Sequence, residues 1–481
     1  MWGLAMRLKK AEKIVLFGIL SFIMGAAAGS VVWMLLRIMD KGIELLWERI
    51  PEMLGILGQT AVGGDACGSL AYDIGVCLAG GLLIGLWKKK HSVSPEPLEV
   101  VIEKVKSEKG YPYNKVHILT VSALLPLIFG GAVGPEAGLA GVVAGLCTLI
   151  GDRLKYKGDA VRNAAGAGLA ATLGVVFAAP LFGIAGNLEE KDWGRGRAYA
   201  PAEGREPILS KGGRAVIYGL AVAGAMLTVK GLSSLLGGMN GLPRFSGQRT
   251  LSFTRMILQW KWGLLLIAAG ILTAMLFIVF NKLTRAVGTV LSRHGMISCL
   301  IAGLLLGIVG HFCGSGRFSG ETQMTALISS WPGFAAGTIL VFGVVKLLMV
   351  NVSVNLGWKG GTIFPMIYSA AAVGFAVAAL IGAAAGTGAI EGNFAVAVVS
   401  ASMLGFLMRK PVTVVAVLLL CFPVTFLPAL IIAAFISAMF GKFLSHEKQP
   451  PSEDDCRRDS GGRDKIGRRQ RNGYGMKMTK E

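Results

Sequence analysis

Charged residues leave this chain for long intervals. The first charge-free run, Ile14–Leu36, spans 23 residues and follows Arg7, Lys9, Lys10 and Lys13. Others follow at Ile74–Trp87, Asn163–Leu188, Ala215–Val229, Trp262–Asn281, Gly295–Gly316, Thr322–Val345, Gly360–Ile390, Gly392–Met408 and Pro411–Gly441. A helix needs roughly 20 apolar residues to cross a bilayer. The pattern therefore predicts an all-α polytopic membrane protein, and several stretches are too short or too broken to be plain spanning helices. The basic N-terminus followed by an apolar run looks like a signal peptide, but the run is too long for a signal core and no small-residue cleavage site follows it cleanly. It predicts a first membrane helix with its basic end inside.

Between that helix and Ile74–Trp87 stand Asp40, Glu44, Glu48, Glu52, Asp65 and Asp73 against only Arg37, Lys41 and Arg49. This reads as an acidic loop on the outside, from which the chain returns inside at Lys88-Lys89-Lys90. At the other end, 446–481 carries ten Lys/Arg and seven Asp/Glu with almost nothing apolar, and is expected to be a disordered cytoplasmic tail.

Composition sharpens the class. Of 481 residues 53% are hydrophobic and 16% charged, with 68 glycines, enough for at most about twelve crossings and too few polar residues for a large soluble catalytic domain. The net charge of +20 would suggest a nucleic-acid partner in a soluble protein; here it reads as cytoplasmic loops, with the lipid bilayer as the partner. The seven cysteines form no CxxC pair, and six lie in or beside apolar sequence, so they read as small buried hydrophobes. The five histidines have no metal-binding spacing, and no cofactor is expected.

Two landmarks recur at one interval. Gly130-Gly131-Ala132-Val133-Gly134-Pro135 and Gly360-Gly361-Thr362-Ile363-Phe364-Pro365 are offset by 230 residues, and Pro180 and Pro411 by 231. A constant offset implies two homologous halves, about 1–210 and 215–445, within one domain, 1–445. Duplicated halves with broken helices are a transporter layout, with the site where the halves meet near the bilayer midplane.

Between Lys115 and Asp152 the sole charged residue is Glu136, directly after Gly134-Pro135. A carboxylate in such surroundings is costly and usually faces a cavity or an ion path. Proline suits a first helical turn, so Glu136 is placed at a helix N-terminus, where free N–H groups and the positive dipole end attract an anion. Its own carboxylate could fill that site, and protonation would release it and admit a mobile anion. The plain alternative is a capping glutamate at the interface. In the second half Met366 takes the matching position, leaving the amides of Thr362, Ile363 and Phe364 to converge on an anion without a tethered charge. Glu189 and Glu190 stand at a membrane edge, either as solvated caps or as a point where protons are admitted. Lys346, and Arg409 with Lys410, read as interfacial anchors.

At these residues the sequence resembles the CLC family of chloride channels and chloride/proton antiporters, over almost all of 1–445. The segment Phe129–Gly138 resembles the family's Gly-(Arg/Lys)-Glu-Gly-Pro motif, Gly168–Gly183 leading to Glu189-Glu190 resembles its AGLAAAFNAPLAG stretch, and Gly360–Pro365 its GxFxP motif. Ser402 through Pro428 is similar to the late membrane helices. The resemblance implies a homodimer with an anion pathway in each subunit, built from tilted and broken helices in two inverted repeats and moving chloride or another small anion, with protons, across the cell membrane. It implies that Glu136 is the gating glutamate, that Gly134 and Ala137 beside it and the amides near Thr362, Ile363 and Phe364 line the anion site, and that Glu190, or Glu189 one residue earlier, passes protons on the inside.

There are departures. The family's GSGIPE loop corresponds to His91–Glu96, so Ser92 takes the place of the ion-facing serine, with Ser94 as competitor because Val93 stands where the family has glycine. Gly138 and Pro135 replace the proline and the basic residue of the gating motif, and no tyrosine occurs between Tyr368 and Tyr474. Fluoride or another small anion is therefore the second reading. A membrane-embedded enzyme using Glu136 or Glu189-Glu190 as acid or base is the alternative from another class. It lacks a nucleophile–base pair or metal cluster beside those glutamates.

Overall fold

The computed structural model describes residues 2–59, 66–105, 111–153, 159–177, 181, 183, 211–237, 253–291, 295–386 and 388–446. Within them the chain is helical, apart from one antiparallel ladder in which β1 (Gly58–Gln59) pairs with β2 (Ala66–Cys67). Among the described residues eight helices are long and apolar enough to cross a membrane, and four shorter apolar helices, Val116–Ile128, Glu136–Ile150, Gly166–Val176 and Gly392–Met408, accompany them. Of these, Gly166–Val176 and Gly392–Met408 fall in the charge-free stretches singled out above, whereas the two shortest such stretches, Ile74–Trp87 and Ala215–Val229, belong to the spanning helices Leu70–His91 and Gly212–Leu236.

The first helix departs from expectation. α1 runs Trp2–Glu44 and continues through a π turn, Leu45–Arg49, into Ile50–Met53. Most of the expected acidic loop is thus helix. Asp40, Glu44, Glu48 and Glu52 recur every fourth residue and so share one side of it. Glu44 pairs with Lys41 at 2.5 Å and Arg49 at 2.6 Å, while Trp47 is buried and its Nε1 donates to the Ile128 carbonyl at 3.0 Å.

α2 (Leu70–His91) serves as a ruler for the rest. It packs along α10 (Gly295–Phe312) with backbones nearly touching: a Cβ on Gly303 would lie 2.4 Å from the Cys77 carbonyl oxygen. Small residues allow such approach where lipid gives helices no hydrophobic reason to associate. Two helix–break–helix units flank α2. One is α4 (Val116–Ile128) followed by α5 (Glu136–Arg153), and the other α12 (Ala336–Asn355) followed by α13 (Ile363–Ala385). The left-handed residues Gly130 (φ +87°) and Gly357 (φ +109°) turn the chain out of α4 and α12. Gly130 lies against Trp47 and Arg317, toward the Asp73 end of α2, whereas Gly357 lies against Cys299 and Lys88, at the opposite end. The two units therefore enter from opposite sides. Both reach the middle of α2, where a Cβ on Gly80 would meet Phe129 at 2.5 Å and Trp358 at 2.9 Å. These are the inverted repeats of an all-α membrane fold.

A buried ionic network braces the first break. Asp73 and Arg317 have no exposed surface and lie 3.1 Å apart (Oδ2 to Nη1). His311 Nδ1 is 2.9 Å from the same oxygen, Gly68 N donates to Oδ1, and the guanidinium stacks on Trp47 at 4.4 Å. Lys346, expected as an interfacial anchor, is fully buried. Its ammonium donates to the carbonyls of Arg317 (2.6 Å) and Phe318 (3.1 Å) and to Gln323 Oε1 (2.8 Å). That reading fails because residues 314–323 fold under α12 and supply the acceptors. The amide of Phe318 then donates to the Gly130 carbonyl at 3.4 Å, tying the network to the break.

Removing one partner of a buried ion pair strands the other charge. Asp73→Ala is expected to destabilise the fold by about 3–5 kcal/mol, read as a lowered thermal midpoint of the detergent-purified protein. Lys41→Ala, at an exposed pair, should change it by less than about 1 kcal/mol.

Candidate functional site

Where the two breaks meet, their backbones pair. The amide of Gly134 donates to the Gly361 carbonyl and that of Gly361 to Gly134, both at 2.8 Å, forming an isolated antiparallel bridge between the halves. The antiparallel sense is the one that a two-fold relation between repeats produces. Pairing also meets a need, since backbone groups out of contact with water at membrane depth must find partners in the protein. Ser353 Oγ accepts from the Ala132 amide at 3.3 Å, and Trp358 Nε1 donates to the Cys299 carbonyl at 2.9 Å, so α12 and α10 brace the bridge.

Glu136, first residue of α5, is fully buried beside this bridge. Its Oε1 accepts a 2.8 Å hydrogen bond from the Ile363 amide, the first residue of α13 in the other half. The amides of Phe364 and of Glu136 itself also point to the carboxylate. The site expected to hold an anion without a tethered charge is thus filled by the carboxylate of the opposite half. The N-terminus of α13 suits a negative group, offering free amides and the positive end of the helix dipole. Among the described residues Oε2 has no hydrogen-bond partner, an unusual condition for a buried carboxylate oxygen. Glycine is required on both strands: a Cβ on Gly134 would stand 2.0 Å from Oε2, and one on Gly361 2.0 Å from the carboxyl carbon. Phe364, next along α13, stacks on Phe177 with ring centroids 4.6 Å apart. Met366, matching Glu136 in the second half, is buried within α13.

The structure brings Gly134, Glu136, Ile363 and Phe364 together. Ala137 is buried one residue further into α5, and Thr362 is the N-cap of α13, its carbonyl accepting from the Met366 amide at 3.1 Å. The two serines separate. Ser92 terminates α2 in a left-handed conformation (φ 51°), whereas Ser94 lines a cavity with Trp87, Lys88, Ser122, Gly357 and Lys359. Lys88 and Lys359 are residues that the sequence reading did not place at any site. Lys359 directly precedes Gly360-Gly361, which was the available signal. Burial, with the Lys88 and Arg285 charges nearby, pushes its ammonium below the ordinary lysine range. Glu189 and Glu190 lie outside the described residues, as do Pro180 and the tail from 447. Among the described residues no group of three His, Cys, Asp or Glu could hold a metal ion.

Two inverted helix-break units, meeting in the middle of a multi-pass membrane bundle around a helix N-terminus occupied by a carboxylate, give the architecture of a membrane transport protein. The family described as Voltage gated chloride channel matches residues 75–442, and the chain belongs to it. It is a multi-pass membrane protein of a family of anion channels and transporters, not of enzymes. It is 25% identical over 377 residues to "Putative ion-transport protein YfeO" of Escherichia coli O1:K1 / APEC, a match covering 76% of this chain and 79% of that one. Its fold is similar to that of a slow cyanobacterial Cl-/H+ antiporter (TM-score 0.69, 16% identity, 88% of this chain and 94% of the other). A CLC-type fluoride/proton antiporter is similar too (TM-score 0.64, 18% identity, 89% and 95%).

The contact between Gly361 and Glu136 gives a test by double substitution. Gly361→Ala should cost about 1–3 kcal/mol by overpacking in the wild-type background, and less than half of that in Glu136→Ala. Thermal midpoints of the four proteins check the coupling.

Proposed function

We propose that this protein moves chloride across the cell membrane by a pathway that Glu136 opens and closes, taking up protons as it does so. One observation carries the reading: a buried carboxylate sits on the α13 amides, where a small anion would bind, with Oε2 unpaired. A mobile anion and the carboxylate compete for the same amides, so the site holds one or the other. A proton arriving on Oε2 removes the charge that attracts the carboxylate to the helix end. The side chain then leaves, and the anion takes its place. The single residue so couples proton uptake to anion access, and whether the protein behaves as a channel or an antiporter follows from the relative rates of the two steps.

The similarity to a Cl-/H+ antiporter supports this reading of the gate, and the similarity to a fluoride/proton antiporter supports fluoride as the second substrate. The altered serine loop, with Ser94 rather than Ser92 at the cavity, favours keeping fluoride in view. Glu190, or Glu189, is the proposed inner proton carrier. The working unit is proposed to be a homodimer with one pathway in each subunit.

Anion efflux from proteoliposomes, with proton movement followed at the same time, tests the gate. Wild type should move a halide faster as pH falls, because protonation opens the site. Glu136→Ala and Glu136→Gln should lose that pH dependence and all proton movement while still conducting anions. Wild type that moves neither chloride nor fluoride under any gradient, or mutants that behave like it, would overturn the assignment. Glu189→Gln and Glu190→Gln, made singly, should show which slows proton flux more than anion flux; equal loss of both fluxes would point to damaged folding.

A further inference from the structure

The carboxylate of Glu136 has no surface of its own. It is 0% exposed, so a proton bound for it has to pass through a group that solvent does reach. Glu321 is such a group. It opens α11 (Glu321–Ser330), toward the Asp73 end of α2 and away from the Lys88-Lys89-Lys90 run that reads as inner.

The segment before Glu321 is docked on both halves of the seam. The Phe318 amide donates to the Gly130 carbonyl at the first break, and a Cβ on Gly320 would stand 2.9 Å from the Cβ of Tyr368. Tyr368 lies on α13, five residues beyond the Ile363 whose amide holds Glu136. Glu321 is thereby held near enough to Glu136 for the two charges to oppose each other, and Asp40 of α1 opposes it as well. The neighbouring cations are engaged elsewhere. Arg317 is turned to Asp73, and Lys346 donates to the carbonyls of Arg317 and Phe318 and to Gln323. Among the described residues Glu321 forms no ion pair, and the Ser319 hydroxyl, 3.4 Å from Oε1, is its hydrogen-bond donor.

A carboxylate that opens a helix ordinarily rests there charged, as a cap favoured by the dipole. Here burial, and then the charges of Glu136 and Asp40, push the Glu321 carboxyl up to about 8, so it keeps its proton at neutral pH. The side chain is still only half-buried, which leaves that proton in exchange with solvent.

We propose that Glu321 is the proton donor to the gate: it shares one proton with Glu136, and passage of that proton to Glu136 releases the gating carboxylate. The O–H bond on Glu321 breaks and one forms at Glu136 Oε2, the oxygen that lacks a partner among the described residues. Glu321, left as a carboxylate, takes its next proton from the outer solution. The two acids titrate as a unit. The proposal deepens the transport reading and rests on it for the use made of the proton.

Infrared titration of the detergent-purified protein reads the proton without requiring transport. A protonated carboxyl band should disappear near pH 8, be missing in Glu321→Gln, and disappear at a lower pH in Glu136→Gln, where the opposing charge is gone. Paired proton and anion fluxes from proteoliposomes read its use. At neutral outer pH Glu321→Gln should slow proton flux at least about tenfold, less than a lost general acid usually costs, because solvent protons still arrive directly. Lowering the outer pH should restore the flux, and Glu321→Asp should recover most of it. In the Glu136→Gln background, where opening needs no proton, the same Gln change should slow anion flux far less than it does in wild type. Glu321→Ala takes the place of the Gln variant should that one aggregate. The proposal is overturned if Glu321→Gln removes no carboxyl band, if its proton flux equals that of wild type, or if anion flux falls equally in both backgrounds. That last result would mean damage to the pathway. A band that behaves as expected in a protein that moves no halide would support the shared proton and sink the transport reading.

Discussion

The exchange of two 2.8 Å hydrogen bonds between Gly134 and Gly361 is the constraint on which the rest of the site depends. Interrupting a helix at membrane depth exposes amides and carbonyls that no water reaches, and each half solves the other's problem by pairing with it. The pairing holds the end of one helix against the start of another that is 227 residues away, where the Glu136 carboxylate meets the Ile363 amide. Neither half contains a finished site. The geometry that receives the Glu136 carboxylate exists only at the seam.

The seam is held firmly, which keeps the carboxylate on the amides. Stiffness comes from both directions. Ser353 and Trp358 hold the bridge from α12 and α10, while Arg317, Asp73 and Lys346 clamp the loop whose Phe318 amide grips Gly130. Buried charge is a poor source of net stability and can still fix a definite geometry, although among the described residues the Arg317 guanidinium nitrogens make no hydrogen bond and rest on the Asp73 charge and the Trp47 ring.

Much of this was legible in the chain before folding. A lone carboxylate in a long apolar interval is conspicuous, and two glycine-proline breaks at one offset announced the repeat. The glycines mattered for a reason that the pattern did not supply: the carboxylate occupies the volume where their side chains would stand. That Glu136 would cap the helix of the other half was not legible, because local sequence specifies a helix end and not its distant occupant. Lys346 misled for the same reason, its acceptors lying in a loop that reaches it only through tertiary folding. The acidic stretch 40–52 misled differently. Its four-residue spacing was visible, but charge alone suggested a loop, whereas a helix can carry such a stripe on one face while burying Trp47. Sequence matching favoured Ser92 over Ser94; that Ser94 is the one lining the cavity was not legible, because the left-handed turn at Ser92 appears only in the folded chain.

Met366 stands where symmetry would put a second carboxylate. Two inverted repeats bring related helix breaks in from opposite sides, and side chains rather than the breaks distinguish the two ends. Glu136, hung from one repeat and seated in the other, does so at the seam, and the buried network of Asp73, Arg317 and Lys346 does so on one side of it.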